Sequence, residues 1–141
     1  MAIEHDLAAY LTAQATVTAL VGTRIYDDHI PQNTPRPAIV YRVIGGNRYY
    51  HTTGPSGLAR TDVQLVFHGE DDGSPLLPRQ IYDAVRLKVD GESGTWGSST
   101  VKSAFLSLPQ NASGLPHLGT ENGYPALSAV LEITHTESVP A

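Results

Sequence analysis

Apolar positions at the N-terminal end of the chain repeat at helical spacing. Ile3, Leu7, Tyr10 and Leu11 fall at i, i+4, i+7 and i+8, so they share one stripe of a helix that begins near Ile3. A second, shorter helix is predicted over Thr16–Val21, because its apolar positions also share one face and a glycine follows it as a C-terminal cap. We expect both helices to pack on a core.

Alternating apolar and polar positions predict four strands. Ile39–Ile44 is rich in β-branched residues, and Thr61–His68 places Val, Leu and Phe on one face and mostly polar residues on the other. Val101–Leu108 and Ala126–Thr136 show the same alternation and are predicted as the third and fourth strands.

A long amphipathic helix is predicted between the second and third strands, with Pro78 near its start and Gly91 at its end. Its expected buried stripe consists of Ile81, Tyr82, Val85 and Val89. Charges of alternating sign recur at helical spacing on the opposite face, at Arg79, Asp83, Arg86 and Asp90. Such charges pair along an exposed helix face for a few tenths of a kcal/mol each.

The order of these elements predicts an α+β fold in a single domain, 1–141. Its four-stranded, mainly antiparallel sheet would carry the N-terminal helices and the one long amphipathic helix packed on one face. Asp27–Pro37 and Pro109–Pro125 are expected to be loops because of their prolines and glycines. Gly45–Arg60 is expected to be an extended connection, since its sixteen residues far exceed the two to five of an ordinary hairpin loop.

Composition restricts the function classes. Hydrophobic residues make up 40% of the chain and charged residues 16%, and the net charge is −5. The chain has no Lys/Arg cluster, so sequence-specific binding of nucleic acid is not expected. It has no cysteine, which excludes disulfides and thiolate metal sites. No apolar run has the length of a membrane span and the N-terminus is acidic, so we expect an intracellular, soluble protein.

Few residues in the sequence form a pattern typical of a catalytic or metal-binding site. Six histidines are scattered, and only His68, with Glu70 and Asp71, forms a local group of ligand types. A solvated acidic turn is the preferred interpretation of that group. Asp62 and Glu132 could form a glycosidase-like pair only if separate strands brought them together, and the sequence gives no sign that they do. We therefore predict no catalytic residue, metal or cofactor.

Two further segments resemble catalytic motifs only superficially. Ser93 lacks the glycine two positions later that a nucleophile elbow needs, and it follows a helix rather than a strand. The segment Gly54–Gly57 lacks the Gly-Lys-Ser/Thr ending of a phosphate-binding loop. The first is interpreted as a turn that ends a helix and the second as a turn.

Five segments, taken in order and at their spacing, resemble the phage tail completion proteins, also called tail terminators. They are Leu20–Tyr26, Pro37–Tyr41, Gly54–Ala59, Val63–Leu65 and Ile81–Arg86. The resemblance extends from about Ile3 to Ile133, and the sequence departs from the pattern over Gly94–Tyr124. The departure includes the third predicted strand and the loop after it.

The resemblance implies a structural protein of the virion, located in the tail at the junction with the head and assembled in the host cytoplasm. It implies a ring of identical subunits, expected to number six, that caps the tail tube and joins it to the head connector. DNA passes through such a ring, and no membrane or enzymatic reaction is involved. The alternatives are a head-tail connector or neck adaptor protein and, less favoured, a small metal-dependent hydrolase.

A ring needs two different surfaces on each subunit that fit one another. The connection 45–60 contains Arg48, Tyr49, Tyr50 and His51, and tyrosine and arginine are enriched among the residues that anchor interfaces. These four residues are the predicted subunit interface. In the alternative interpretation, Tyr49 and Tyr50 fold back on their own sheet.

Overall fold

Three helices and seven strands form one α+β unit in the computed structural model, which describes residues 3–28, 30, 37–51, 54–69, 76–97, 99–111 and 125–136. In chain order, the elements are α1 (Ile3–Thr12), α2 (Ala15–Val21), β1 (Ile25–Asp27), β2 (Ala38–His51), β3 (Gly54–His68), α3 (Leu76–Val89), β4 (Gly94–Trp96), β5 (Ser99–Leu106), β6 (Gln110–Asn111) and β7 (Ala126–Thr136).

The strands form a single curled sheet in the order β1-β2-β3-β7-β5-β4, and β6 also pairs with β7. All neighbouring strands are antiparallel except β1, which runs parallel to β2 at residues 39–41. The central pair is β3 and β7, in register from Leu58 opposite Thr136 to His68 opposite Ala126. The long hairpin β2–β3 therefore occupies one side of the sheet, and β5 with β4 occupies the other.

The helices cover one face of this sheet. Ile3, Leu7 and Leu11 of α1 are buried, as are Val17 and Val21 of α2. From the sheet, the same core contains Ile39, Tyr41, Val63, Leu65, Phe67, Val101, Ala104, Ala129, Leu131 and Ile133, and from α3 it contains Ile81, Tyr82, Val85 and Val89. Burial of these apolar side chains on one face is the main force that holds helices and sheet together.

Aromatic side chains join the helices to the ends of the strands. Tyr10 stacks on Trp96 with ring centroids 4.6 Å apart, and its hydroxyl donates to the Lys88 carbonyl oxygen at 2.7 Å. Tyr82 packs edge-on against Phe67 at 5.8 Å and donates to the Ser107 carbonyl oxygen at 2.8 Å. Aromatic pairs of this geometry contribute about 0.5–1.5 kcal/mol each beyond their burial.

The helices match their sequence patterns closely. Val89 ends α3 and Gly91 adopts a positive φ of 75° just after it, while Gly22 caps α2 by donating its N–H to the Thr18 carbonyl oxygen. The charge pattern on α3 gives an ion pair between Arg79 and Asp83 at 3.4 Å. Asp90, the last charge in that series, instead accepts a hydrogen bond from the Leu106 N–H.

The predicted four-stranded sheet with one long helix is wrong in its strand count. The structure adds three short strands, β1, β4 and β6, which have only three, three and two residues and so are too short to show alternation. The third predicted strand ends at Leu106, and pairing with β7 resumes at Gln110. Most of the predicted loop Asp27–Pro37, and 112–124 of the loop Pro109–Pro125, lie outside the described residues.

Candidate assembly surface

The hairpin formed by β2 and β3 is the main departure from the sequence prediction. Residues 45–51 and 54–60, predicted as a connection, are strand, and the pairing continues to His51 opposite Gly54. Within this hairpin, Gly54–Gly57 is the start of β3, so its interpretation as a turn is wrong. In this range, Gly54 and Pro55 pair with β2, and the register between the two strands shifts between Pro55 and Ala59. None of Gly54–Gly57 has a partner in the described part of β7.

A β-bulge explains why the sequence pattern stopped at this point. Val43 lies opposite Val63, but Gly45 lies opposite Asp62, so Ile44 is an extra residue in β2. Alternation is interrupted at the bulge, and the two glycines that follow resemble the end of a strand. Glycine inside a strand is also a known sign of a bulge or a close backbone approach.

Gly46 is needed for the hairpin to continue past the bulge. It adopts a φ of +149°, and a Cβ at this position would overlap the carbonyl oxygen of Arg60 on the paired strand. Gly45 differs, because its nearest neighbour would be Asp62 Oδ2 at 3.9 Å, which is an ordinary contact. Of these two residues, only Gly46 therefore requires glycine for steric reasons.

Hydrogen bonding and ion pairs hold the base of the hairpin. His135 of β7 is buried, and its Nδ1 lies 3.0 Å from the Thr136 carbonyl oxygen, which can only accept. Nδ1 therefore carries the proton, and in the neutral ring Nε2 accepts from the Thr61 hydroxyl at 2.9 Å. Arg60 pairs with Asp62 at 3.2 Å, and Arg42 pairs with Asp28 at 2.8 Å.

Tyr41 lies at the point where the hairpin leaves the core. Burial raises the pKa of its hydroxyl, and the carboxylates of Asp27 and Glu4 raise that pKa further. The side chain is 6% exposed. The neutral phenol is therefore the form that the folded protein favours.

Beyond Tyr41 the hairpin presents apolar side chains to solvent. Val43 is 44% exposed, Ile44 51% and Tyr49 43%. Of these three residues, Val43 lines a concavity of about 250 Å³, whose lining also includes Gly46, Arg48 and Ala59. Several exposed apolar side chains on one hairpin are typical of a surface that another molecule covers.

The structure places the four predicted interface residues together at the far end of β2. Arg48 and Tyr49 are exposed there. The backbones of Tyr50 and His51 pair with Pro55 and Gly54, and their side chains lie outside the described residues. Sequence reasoning did not identify Val43 and Ile44 as surface residues, because the β-branched pattern of Ile39–Ile44 predicts a strand and does not show where that strand leaves the core.

The candidate catalytic groups lie at separate places in the described residues. His68 is buried, 1% exposed, between Ala38 and Ala126 of the flanking strands, while Glu70 and Asp71 lie outside the described residues. Asp62 and Glu132 are opposite one another in β3 and β7, which the sequence did not indicate. The Asp62 carboxylate is bound by Arg60, and neither carboxylate lines the concavity.

The described residues contain neither a candidate metal site nor a candidate membrane span. Among the residues described, no group of three or more His, Cys, Asp or Glu side chains could hold a metal ion. Within the same residues, no helix has the length and apolar character to cross a membrane. Ser93 lies in the connection between α3 and β4, so it follows a helix, as predicted; the turn itself is at Asp90 and Gly91.

Comparison with known proteins gives one family and one similar fold. The family model described as "Tail completion protein gp17" matches residues 5–108. A chain in the structure described as "Virion of native gene transfer agent (GTA) particle" matches with a TM-score of 0.66 and 14% identity, covering 96% of each chain. At that identity the likeness shows a shared fold. No curated protein matches this sequence.

Proposed function

The chain belongs to the tail completion protein gp17 family, and from this premise we propose that six copies of it close into a ring that caps the tail tube. It is a structural protein of the phage tail. The proposed ring stops growth of the tube and offers its other side to the head connector. DNA passes through the ring without sequence-specific contacts, as expected for a chain of net charge −5.

Besides family membership, one observation supports the proposal. The hairpin β2–β3 extends past the strands that flank it. Within the described residues, β1 pairs with β2 only as far as Tyr41, and β7 pairs with β3 only from Leu58. The far part of the hairpin thus contributes little to its own core and presents Arg48 and Tyr49 to solvent. Arms of this kind supply one of the two surfaces that a closed ring requires.

Arg48, Tyr49, Tyr50 and His51 are proposed as anchors of that subunit contact. Tyrosine buries a large area at low entropic cost, and both tyrosine and arginine are enriched among energetically important interface residues. The competing role, packing of Tyr49 on its own sheet, fits less well with the 43% exposure of this side chain.

A tube-capping experiment tests the proposed position. Purified chain is added to polymerising tail tube protein, and the tubes are examined by electron microscopy with a label on the chain. We expect label at tube ends and tubes that no longer lengthen. Label along the tube wall, or unchanged growth, would contradict a capping role. An assembly of another stoichiometry that binds only the head connector would favour the neck adaptor.

A further inference from the structure

The register between β2 and β3 changes near the far end of the hairpin. Arg48 pairs with Ala59, and Tyr50 pairs with Pro55. These two pairs are two residues apart on β2 but four residues apart on β3, so β3 carries two extra residues at this level. Extra residues in one strand interrupt the ladder and bend the strand that contains them.

Gly57 lies among these extra residues and has a backbone conformation that favours glycine. Its φ is 80°, in the left-handed region that glycine adopts readily and that residues with a Cβ adopt at a cost. In the described residues, pairing of β3 with β7 begins at the next residue, Leu58, opposite Thr136. The bend in β3 therefore coincides with the point where the three-stranded part of the sheet ends.

The backbone is held differently on the two sides of this bend. On the sheet side, β3 pairs with both β2 and β7, and Ala59 is 4% exposed. On the other side lies the tip of the hairpin, residues 50–51 and 54–56, whose register pairs are Tyr50 with Pro55 and His51 with Gly54. The proline has no N–H to donate to the ladder. A two-stranded hairpin by itself is marginally stable in water, so the orientation of the tip depends on the backbone at the bend.

We propose that Gly57 is a hinge about which this tip turns as one unit relative to the sheet. Hinges are a few residues that absorb a change in φ and ψ, and glycine has the widest range of both angles. Two of the proposed subunit anchors, Tyr50 and His51, lie beyond the hinge, whereas Arg48 lies on the sheet side. The use of the hinge rests on the ring proposed above, because the turn adjusts the tip to the neighbouring copy while the sheet keeps its shape.

Distances between two spin labels test the hinge, because the natural chain has no cysteine and the labels therefore attach only to introduced cysteines. The reference label is placed on α1 by Ala9→Cys, at an exposed position. The second label is placed beyond the hinge by Ser56→Cys or, as the matched control, on the sheet side of the bend by Asn47→Cys. The full chain is measured as the monomer, at a concentration at which sedimentation detects no assembly.

The width of the distance distribution reports how far each label moves. We expect the distribution for position 56 to be wider than that for position 47 by about a factor of two or more, because a hairpin without a third strand is marginally stable. Equal widths for the two positions would overturn the hinge. This comparison needs no substitution at Gly57.

Substitution of Gly57 shows whether the motion is located at this residue. Gly57→Ala should narrow the distribution for position 56, because alanine has a smaller range of φ and ψ. Gly91→Ala is the control, since Gly91 has a similar φ of 75° after α3 and a Cβ there would meet nothing within 4 Å. If Gly57→Ala leaves the distribution unchanged, or if Gly91→Ala narrows it equally, Gly57 is not the hinge.

Failure of the hinge is distinguishable from failure of the ring. In rings that contain labelled chain diluted into excess unlabelled chain, we expect the distribution for position 56 to narrow, because the neighbouring copy fixes the tip. A distribution as wide in the ring as in the monomer would overturn the proposed use of the hinge. Equal widths in a chain that forms rings would contradict the hinge alone, and a wide distribution in a chain that never assembles would contradict the ring alone.

Discussion

Replacing Gly46 with alanine should open the hairpin, because the added Cβ would overlap the Arg60 carbonyl oxygen of the paired strand. The backbone at Gly46 also has a φ of +149°, a conformation that side chains with a Cβ rarely adopt. Strained backbone of this kind costs on the order of 1–3 kcal/mol. Relief of the overlap requires β2 to move away from β3 or to shift register, and either change disturbs the surface that carries Arg48 and Tyr49.

Gly45→Ala is the matched control, since its Cβ would meet only Asp62 Oδ2 at 3.9 Å. The two variants change the same residue type at neighbouring positions of one strand. We expect Gly45→Ala to alter the free energy of unfolding by less than about 0.5 kcal/mol, as for most surface substitutions. For Gly46→Ala we expect a loss of about 1–3 kcal/mol.

Urea denaturation followed by circular dichroism measures the change in the free energy of unfolding of each variant. Amide hydrogen exchange shows which residues lose protection. Exchange in Gly46→Ala should accelerate in residues 43–51 and 54–61, while the β3–β7 centre stays protected. Equal stability of the two variants, or faster exchange spread evenly over the sheet, would refute the steric argument for Gly46.

Two further predictions concern the exposed hairpin and the buried tyrosines. Tyr49→Ser should weaken self-association while the monomer keeps its circular dichroism spectrum. The control variant Leu87→Ser on α3 should leave self-association unchanged. An unfolded Tyr49→Ser chain would show that Tyr49 belongs to the core. The pKa of Tyr41 is raised in the folded protein. Its contribution to the free energy of unfolding is therefore fully present below pH 10 and is lost as pH rises through the folded pKa. Tyr41→Phe should reduce this loss of stability at high pH. If the free energy of unfolding depends on pH identically in both proteins, the raised pKa of Tyr41 is contradicted.

The helices were predictable because each shows its burial directly in the spacing of its apolar residues. Leu7 and Leu11 of α1, and Ile81 and Val85 of α3, are all buried. The strand β7 was predicted with its observed ends, Ala126 and Thr136. Buried faces of this length give a periodic signal that local sequence reasoning can detect.

The hairpin could not be predicted in the same way, because its far half has little contact with the core. Ile44 occupies a bulge, and the strand then continues through Gly45 and Gly46, where β3 is its partner among the described residues. Backbone pairing between strands leaves no periodic pattern in the sequence when neither face is buried. The opposition of Asp62 and Glu132 was missed for a related reason, since register between distant strands is a tertiary property.

The central claim is that six copies form a closed ring. Native mass spectrometry of the purified chain at increasing concentration tests it most directly, because it counts subunits. A six-membered ring should give a dominant species of six 15.1 kDa chains, about 91 kDa, which dissociates when Tyr49 is replaced by serine. A protein that remains at 15.1 kDa at all concentrations, both alone and with tail tube protein, would contradict the account.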